Sequence, residues 1–407
     1  MLKTVTIIGG GPTGLMAADI LSQHNYSVTI FERKPSLGRK FLLAGRGGLN
    51  ITHSENTNDF LKKYGKNHTT FKSIINKFSP QNLRDWCESL GEKTFIGSSG
   101  RVFPKSFKAS PLLRAWLSQL KTQNVTFKKK HDWLGWQDNR LLFKSEDKNI
   151  LIKSDFTILA LGGASWPNLG SDGSWVDILK RNNIEISELK PANCGFFVNW
   201  SKVFTERFAG NPLKSIEIKY KEKTIKGEFI ITKVGVEGGA IYSLSALIRD
   251  AINIEGEQKV FIDLRPDVSL EEINKRLLNK PSKVSLTNYL RKNIKLSDVA
   301  VGLIMELKHK KKFKNLNAEN LGFHIKNFQL LLEKPFSVKR SISTAGGVSF
   351  KCIDSDFMLT NKPNVYVAGE MLDWEAPTGG YLLQACISSG FFVANNILKK
   401  QNKSEQN

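Results

Sequence analysis

The chain has 407 residues, 40% of them hydrophobic and 24% charged, ordinary values for a globular protein with a substantial core and room for two or three domains. Its formal charge of +22 at pH 7 is the one outlier, and it sets a polyanion-binding class against a plain solvated basic surface. Cys87, Cys194, Cys352 and Cys386 lie far apart with no Cys-x-x-Cys spacing, which argues against disulfide-redox and metal chemistry and leaves them as small buried hydrophobes.

No uninterrupted apolar run approaches the roughly 18 residues that cross a bilayer. A strand begins within a few residues of Met1, so neither a leader nor a membrane span is expected, and the expected location is cytoplasmic. The lysines are spread widely, with short runs at 128–130 and 310–312, and Asn and Ile are plentiful. A solvated basic surface is the expectation. A polyanion site is the alternative, and a steep salt dependence of RNA binding would favour it.

Residues 4–9 read as a strand, 12–24 as a crossover helix and 28–31 as a second, parallel strand. Between the first two lies Gly9-Gly10-Gly11-Pro12-Thr13-Gly14. Gly9 suits a tight turn, Gly11 lets backbone approach a pyrophosphate, and Gly14 lets the helix pack on the strand. With Pro12 and Thr13 opening the helix, its free N–H groups face the phosphates. Glu32 follows Gly14 by 18 residues, where a carboxylate accepts ribose hydroxyls and favours FAD or NAD over NADP.

Residues 38–50 form a glycine-rich connection carrying Arg39, Lys40 and Arg46 beside Gly45, Gly47 and Asn50. It is too irregular for a helix or strand, and suits backbone amides wrapped around a polar ligand. Residues 155–161 are a continuous apolar run through Ala160 that ends in Gly162-Gly163, read as a buried strand entering a ligand-facing turn. Residues 364–370 repeat that pattern and end in Gly369-Glu370, a carboxylate placed for ribityl or ribose hydroxyls. Gly379-Gly380 then open a helix at Tyr381 whose N-terminus is aimed at a flavin ring. Trp133 and Trp136 read as core aromatics, with a flavin or adenine contact as the alternative.

If the strands at both ends of the chain hold one dinucleotide, they share a sheet and the middle is an excursion. The expected organisation is α/β: a discontinuous Rossmann-like domain over 1–190 and 334–400, an insert over 191–333, and a fraying polar tail at 401–407. The insert reads as β-rich over 191–267, from alternating runs, and as helical over 268–333.

Several of these motifs stand together in a known family. Gly9–Gly14, Glu32-Arg33-Lys34, Gly38-Arg39-Lys40, Gly100-Arg101-Val102-Phe103-Pro104 with Lys108-Ala109-Ser110, Gly162-Gly163-Ala164-Ser165, Thr344-Ala345-Gly346-Gly347 and Gly369-Glu370 with Thr378-Gly379-Gly380-Tyr381 resemble the BaiN-like (YhiN-like) FAD-dependent oxidoreductases. The chain departs from the commoner form at residues 44–53 and again at 234–240, so it resembles a separate branch. The resemblance implies an FAD-binding Rossmann-like domain interrupted by a β-barrel-like and a helical part, with Arg33 and Lys34 among the cofactor contacts.

A flavin brings its own hydride chemistry, and the protein must bind it and aim it. The expected cofactor is non-covalent FAD. No second Gly-x-Gly-x-x-Gly follows a strand, so NAD(P)H as reductant would visit the flavin face transiently. Arg101 and Lys108 are positioned to orient a carbonyl or carboxylate, while His53 and Tyr381 supply protons; structural ion pairs and packed polar residues are the alternatives. Lys233 and Glu237 stand on the insert as a further substrate wall. The leading function is an FAD oxidoreductase for a small organic substrate reduced by NAD(P)H. The alternatives are an amine or amino-ketone oxidase using O₂, an FAD-dependent tRNA-modifying enzyme, and a non-catalytic flavin module.

Overall fold

The computed structural model describes residues 2–146, 148–309 and 318–405; the basic run at 310–312 lies outside them. Two compact units emerge, Met1–Pro191 with Val338–Asn407, and Ala192–Ser337.

The first unit is built on a parallel sheet in the order Val365–Val367, Phe156–Leu159, Lys3–Ile8 (β1), Tyr26–Glu32 (β2), Thr126–Lys129. Its central strands are buried on both faces, as Ile7, Ile30 and Ile158 show with no exposed surface, which is why they read as unbroken apolar runs. From β1 the chain crosses through Pro12–Ser22 (α1) to β2, and later sets Phe156–Leu159 against the other edge of β1. That reversal opens a crevice at the carboxyl end of β1. Gly9 stands there at φ +113, where an added Cβ would lie 2.2 Å from the Ala160 carbonyl oxygen.

Helix Tyr381–Glu405 packs across α1. Gly390 permits the crossing, since a Cβ there would lie 2.3 Å from the Thr13 carbonyl oxygen. Residues Tyr381–Lys400 are long and apolar enough to cross a membrane by length and composition, which corrects the expectation that no segment is. Ser388, Ser389, Asn395 and Asn396 interrupt the run in sequence, while Ala385, Ile387, Val393 and Ile397 are buried inside the protein. The backbone is helical to Glu405.

The second unit holds an antiparallel sheet in the order Phe196–Phe197, Gly235–Glu237, Lys223–Thr232, Pro212–Tyr220, Gln258–Asp263, Phe328–Leu332. Its ends meet: Phe197 N donates to Lys334 O at 2.9 Å and Glu333 N to Phe197 O at 3.0 Å, giving the barrel-like closure the resemblance implies. Two elements depart from the β-then-helix reading. Gly239–Glu255 is helical within the β-rich part, burying Ala240, Ile241, Leu244, Ile248 and Ala251 on one face. Phe328–Leu332 is a strand within the helical part, because Phe328, Leu330 and Leu332 alternate inward.

Gly390→Ala is expected to destabilise the chain by about 1–3 kcal/mol in urea unfolding, by forcing the two helices apart. Gly239→Ala, which meets nothing within 4 Å, is the control expected to leave stability unchanged.

Candidate functional site

The carboxyl ends of the parallel strands surround an open-sided cavity. Its floor is Gly9–Thr13. Gly11 caps α1 without a side-chain partner, and an added Cβ on it would meet no atom within 4 Å. The first amides of α1, which have no intrahelical acceptor, therefore open into free space. Pro12 takes the first helical position, where its missing N–H costs nothing.

Glu32 closes one side. Its carboxylate accepts from Gly10 N at 2.9 Å and Lys34 N at 2.8 Å, so the acid is fixed to the same turn that begins α1. Burial raises its pKa, against the pull of those two amides and of Arg33 and Lys34. Arg33 turns away from the cavity floor and forks onto Asp172 at 3.0 and 2.7 Å, holding the 170–173 turn over the site. Burial pushes Asp172 up, but Arg33 and Ser174 together bring it below its ordinary value.

The opposite side is tied by Glu370, whose side chain is only 7% exposed. Lys40 Nζ donates to it at 2.7 Å and also to Ser165 Oγ at 2.7 Å, while Thr344 N and Gly163 N donate at 3.1 and 3.3 Å. Glu370 thus has both oxygens engaged within the protein, as Glu32 has, and both carboxylates line the cavity. Gly369 and Gly163 are spacers beside it: a Cβ would lie 2.4 Å from Thr13 Oγ1 in one case and 2.4 Å from Thr344 Oγ1 in the other. Cys386 lies in the wall, its thiol pushed up to about 12 by burial, which makes it inert packing.

Among the described residues, three buried polar atoms on residues of this cavity have no protein partner: Arg39 Nε, Ser171 Oγ and Trp133 Nε1. A positive fork, a hydroxyl, an indole N–H and a helix N-terminus along one crevice fit an anionic dinucleotide with an aromatic base. Ala160 and Gly162 complete the lining. His131, Asp132 and Ser171 also line it, and only the 131–133 strand register could have revealed the first two from sequence.

Arg39–Ala44 is helical, which corrects the reading of 38–50 as too irregular for a helix, and the 45–50 segment lies outside this cavity. Gly45 packs on Ala109, Gly47 meets no atom within 4 Å, and Arg46 is exposed. Asn50 Nδ2 donates to Thr52 O and Val102 O at 2.7 and 3.1 Å, and its Oδ1 is buried without a partner. The Gly379-Gly380 turn closes on the same strand: a Cβ on Gly380 would lie 2.6 Å from Thr52 Cα.

That contact brings Tyr381 beside His53, ring centroids 5.5 Å apart and stacked. The Tyr381 hydroxyl donates to Glu55 Oε1, and burial, reinforced by that bond, raises its pKa far above the ordinary phenol value. Lys63 Nζ lies 3.7 Å from Glu55 and 5.7 Å from the Tyr381 ring centre. His53 Nε2 faces Ser99 O at 3.0 Å and its Nδ1 accepts from Glu55 N at 3.2 Å. A carbonyl only accepts, so the imidazole carries its proton on Nε2. Both ring nitrogens are held by backbone, and the imidazole stacks on the Tyr381 ring. Arg101 is the cross-strand partner of His53. Arg101 and Lys108 are exposed and have no ion-pair partner among the described residues. Glu237 and Lys233 belong to the other unit.

Lys40→Met leaves Glu370 buried and unpaired, and is expected to cost about 3 kcal/mol and to strip the dinucleotide. Adding Glu370→Gln to Lys40→Met is expected to restore part of the stability, read by urea unfolding. For Asp172, the depressed pKa contributes stability above the unfolded value of 3.8 that is lost as pH falls through the folded value. The gap in unfolding midpoint between wild type and Asp172→Asn should therefore be widest at neutral pH and close in acid.

A family model described as the HI0933-like protein Rossmann domain matches residues 3–396. Among curated proteins, the chain is 24% identical over 417 residues to a 3-dehydro-bile acid delta(4,6)-reductase of Clostridium scindens, covering 96% of this chain and 98% of that one. It is 24% identical over 414 residues to a ribosomal RNA dihydrouridine synthase of Haemophilus influenzae, covering 97% and 98%. Among solved structures, a 3-ketosteroid delta1-dehydrogenase from Sterolibacterium denitrificans shares the fold with a TM-score of 0.54 and 11% identity, over 98% of this chain and 100% of that one. With its Rossmann cradle, its interrupted first unit and a match that runs almost end to end, the chain belongs to the HI0933-like family of FAD-dependent oxidoreductases.

Proposed function

We propose that this protein reduces a carbon–carbon double bond conjugated to a carbonyl, using non-covalent FAD recharged by NADH or NADPH. The observation that carries the reading is the Tyr381 phenol, kept protonated by burial and by Glu55 at the first turn of a helix whose N-terminus follows Gly379-Gly380. The relatives support it, since a delta(4,6)-reductase and a dihydrouridine synthase are both named for saturating such a bond.

Bound FAD would supply the hydride to the substrate's β-carbon. The chain's residues do the rest. The α1 amides and Arg39 would hold the pyrophosphate, and Glu32 would take ribose hydroxyls. Amides at the start of the Tyr381 helix would stabilise negative charge on the ring, an effect of about 0.3–2 kcal/mol. Tyr381 delivers a proton to the carbonyl side of the substrate, with Glu55 and Lys63 fixing its hydroxyl. With no second nucleotide-binding fingerprint in the sequence, donor and substrate take turns at one face, which gives ping-pong kinetics.

A second reading concerns the substrate, and the charge of +22 favours it. A uracil in RNA carries the required conjugated bond within a polyanion, and the Haemophilus relative is a ribosomal RNA dihydrouridine synthase. A small conjugated enone and an unpaired uridine are therefore the two substrates to set against each other.

In anaerobic stopped-flow, NADH or NADPH is expected to bleach the yellow protein, and a conjugated enone or uridine-containing RNA to restore the colour. Bleaching by an amine followed by peroxide release in air, with no response to NAD(P)H, would overturn the reading in favour of an oxidase. Tyr381→Phe should slow the substrate half-reaction by about 100-fold while leaving reduction by NAD(P)H unchanged.

A further inference from the structure

Two segments of the first unit share an unusual composition. Residues 39–54 contain three Lys or Arg and residues 93–108 contain four, with no carboxylate in either. The structure joins them. Strand Thr94–Ile96 pairs with Arg101–Pro104, which pairs in turn with Thr52–His53, and Leu49 N donates to Phe107 O at 2.9 Å.

On this small sheet three phenylalanines converge. Phe95 lies 5.8 Å from Phe103 and 4.9 Å from Phe107, and Phe103 lies 5.5 Å from Phe107, between ring centroids. They are not core residues: Phe107 is 50% exposed and its neighbour Ile96 48%. Phe107 stands at φ +57, a conformation unfavourable for a bulky residue, fixed by its own N–H to Pro104 O at 2.9 Å. Glycines flank the cluster, with Gly48 against Phe107 and Gly97 against Phe103, and they leave Phe107 exposed and Phe95 and Phe103 half-buried.

Around them Arg46, Lys93, Arg101, Lys105 and Lys108 are all exposed, and none is ion-paired among the described residues. The nearest acid in sequence, Glu92, takes the Ser106 hydroxyl at 3.1 Å. Exposed aromatic faces ringed by unneutralised cations match a ligand that alternates flat π-systems with single negative charges, which is a single-stranded nucleic acid. A sterol-like substrate needs an enclosed apolar pocket and gains nothing from the cations.

We propose that the surface formed by residues 93–108 and the 45–48 loop binds unpaired RNA, with a base stacked on Phe103 and Phe107 and phosphates against Arg46, Lys93 and Lys105. The proposal rests on the RNA reading of the substrate given above and names the part of the chain that would carry it. Arg101 links this surface to the turn that packs on His53, so a strand laid along it leads toward Tyr381.

The test is fluorescence anisotropy of a labelled single-stranded oligouridine titrated with the yellow holoprotein at several salt concentrations. Wild type should bind, with log affinity falling linearly against log salt. Phe107→Ala should weaken binding about 10-fold with the salt slope intact, and Phe107→Trp should retain it. Lys93→Gln with Lys105→Gln should lower the salt slope by about 1.4, at roughly 0.7 per phosphate contact. Both lysines are exposed, so this variant carries the test if the phenylalanine variant loses its flavin.

Variants that bind like wild type with an unchanged slope overturn this surface and leave the RNA reading standing. A wild type that fails to bind at low salt overturns both. A change of oligomeric state on Phe107→Ala, seen by size exclusion, assigns the face to a second copy of the chain and overturns the proposal.

Discussion

A carboxylate with 7% of its side chain exposed must be neutralised or hydrogen-bonded to persist, and Glu370 meets that demand by gathering three distant segments. Lys40, Gly163, Ser165 and Thr344 all converge on the Lys40–Glu370 pair. Glu370 stands at the end of the last sheet strand and Lys40 follows β2, so their pairing holds the late return of the chain against its start. The cavity exists because these segments are fixed at that separation. Such a pair adds little net stability, but its rupture is costly, and so it acts as a geometric constraint on the site.

Glycines act on the same geometry by close approach. Gly9 against Ala160, Gly369 against Thr13 and Gly390 against the Thr13 carbonyl each place backbone where any Cβ would collide. The result is that α1 is held by the sheet at its start and by the Tyr381 helix along its flank, with its N-terminal amides open to the crevice. A rigid helix N-terminus stabilises an anion better than a mobile one, because its dipoles need no reorganisation on binding.

Around Tyr381 the arrangement is different in kind. The phenol, Glu55, His53 and Lys63 form a polar cluster at a helix start, separate from the residues that line the cavity. The two groups meet through backbone: the Gly379-Gly380 turn rests on Thr52, and helix Arg39–Ala44 leads from the cavity toward the 45–50 loop. The proposed binding and proton delivery thus fall to different segments of one unit.

The sequence by itself determined the parallel sheet, the cradle at Gly9–Gly14, the acid at Glu32 and the return of the chain after its excursion. Those features rest on local rules, unbroken apolar runs for buried strands and glycine where backbone must approach closely, and local rules are legible in one dimension. Which polar groups answer one another was decided only by the tertiary structure. Arg33 reads as a ligand contact, and the fold brings Asp172 opposite it; Glu370 reads as an acceptor, and the fold brings Lys40 to it; His53 reads as a proton donor, and the fold sets its nitrogens against Ser99 and Glu55 backbone. Each of those partners lies beyond the reach of any local pattern or on an unforeseen turn, because hydrogen bonding depends on distance in space and carries no signature along the chain.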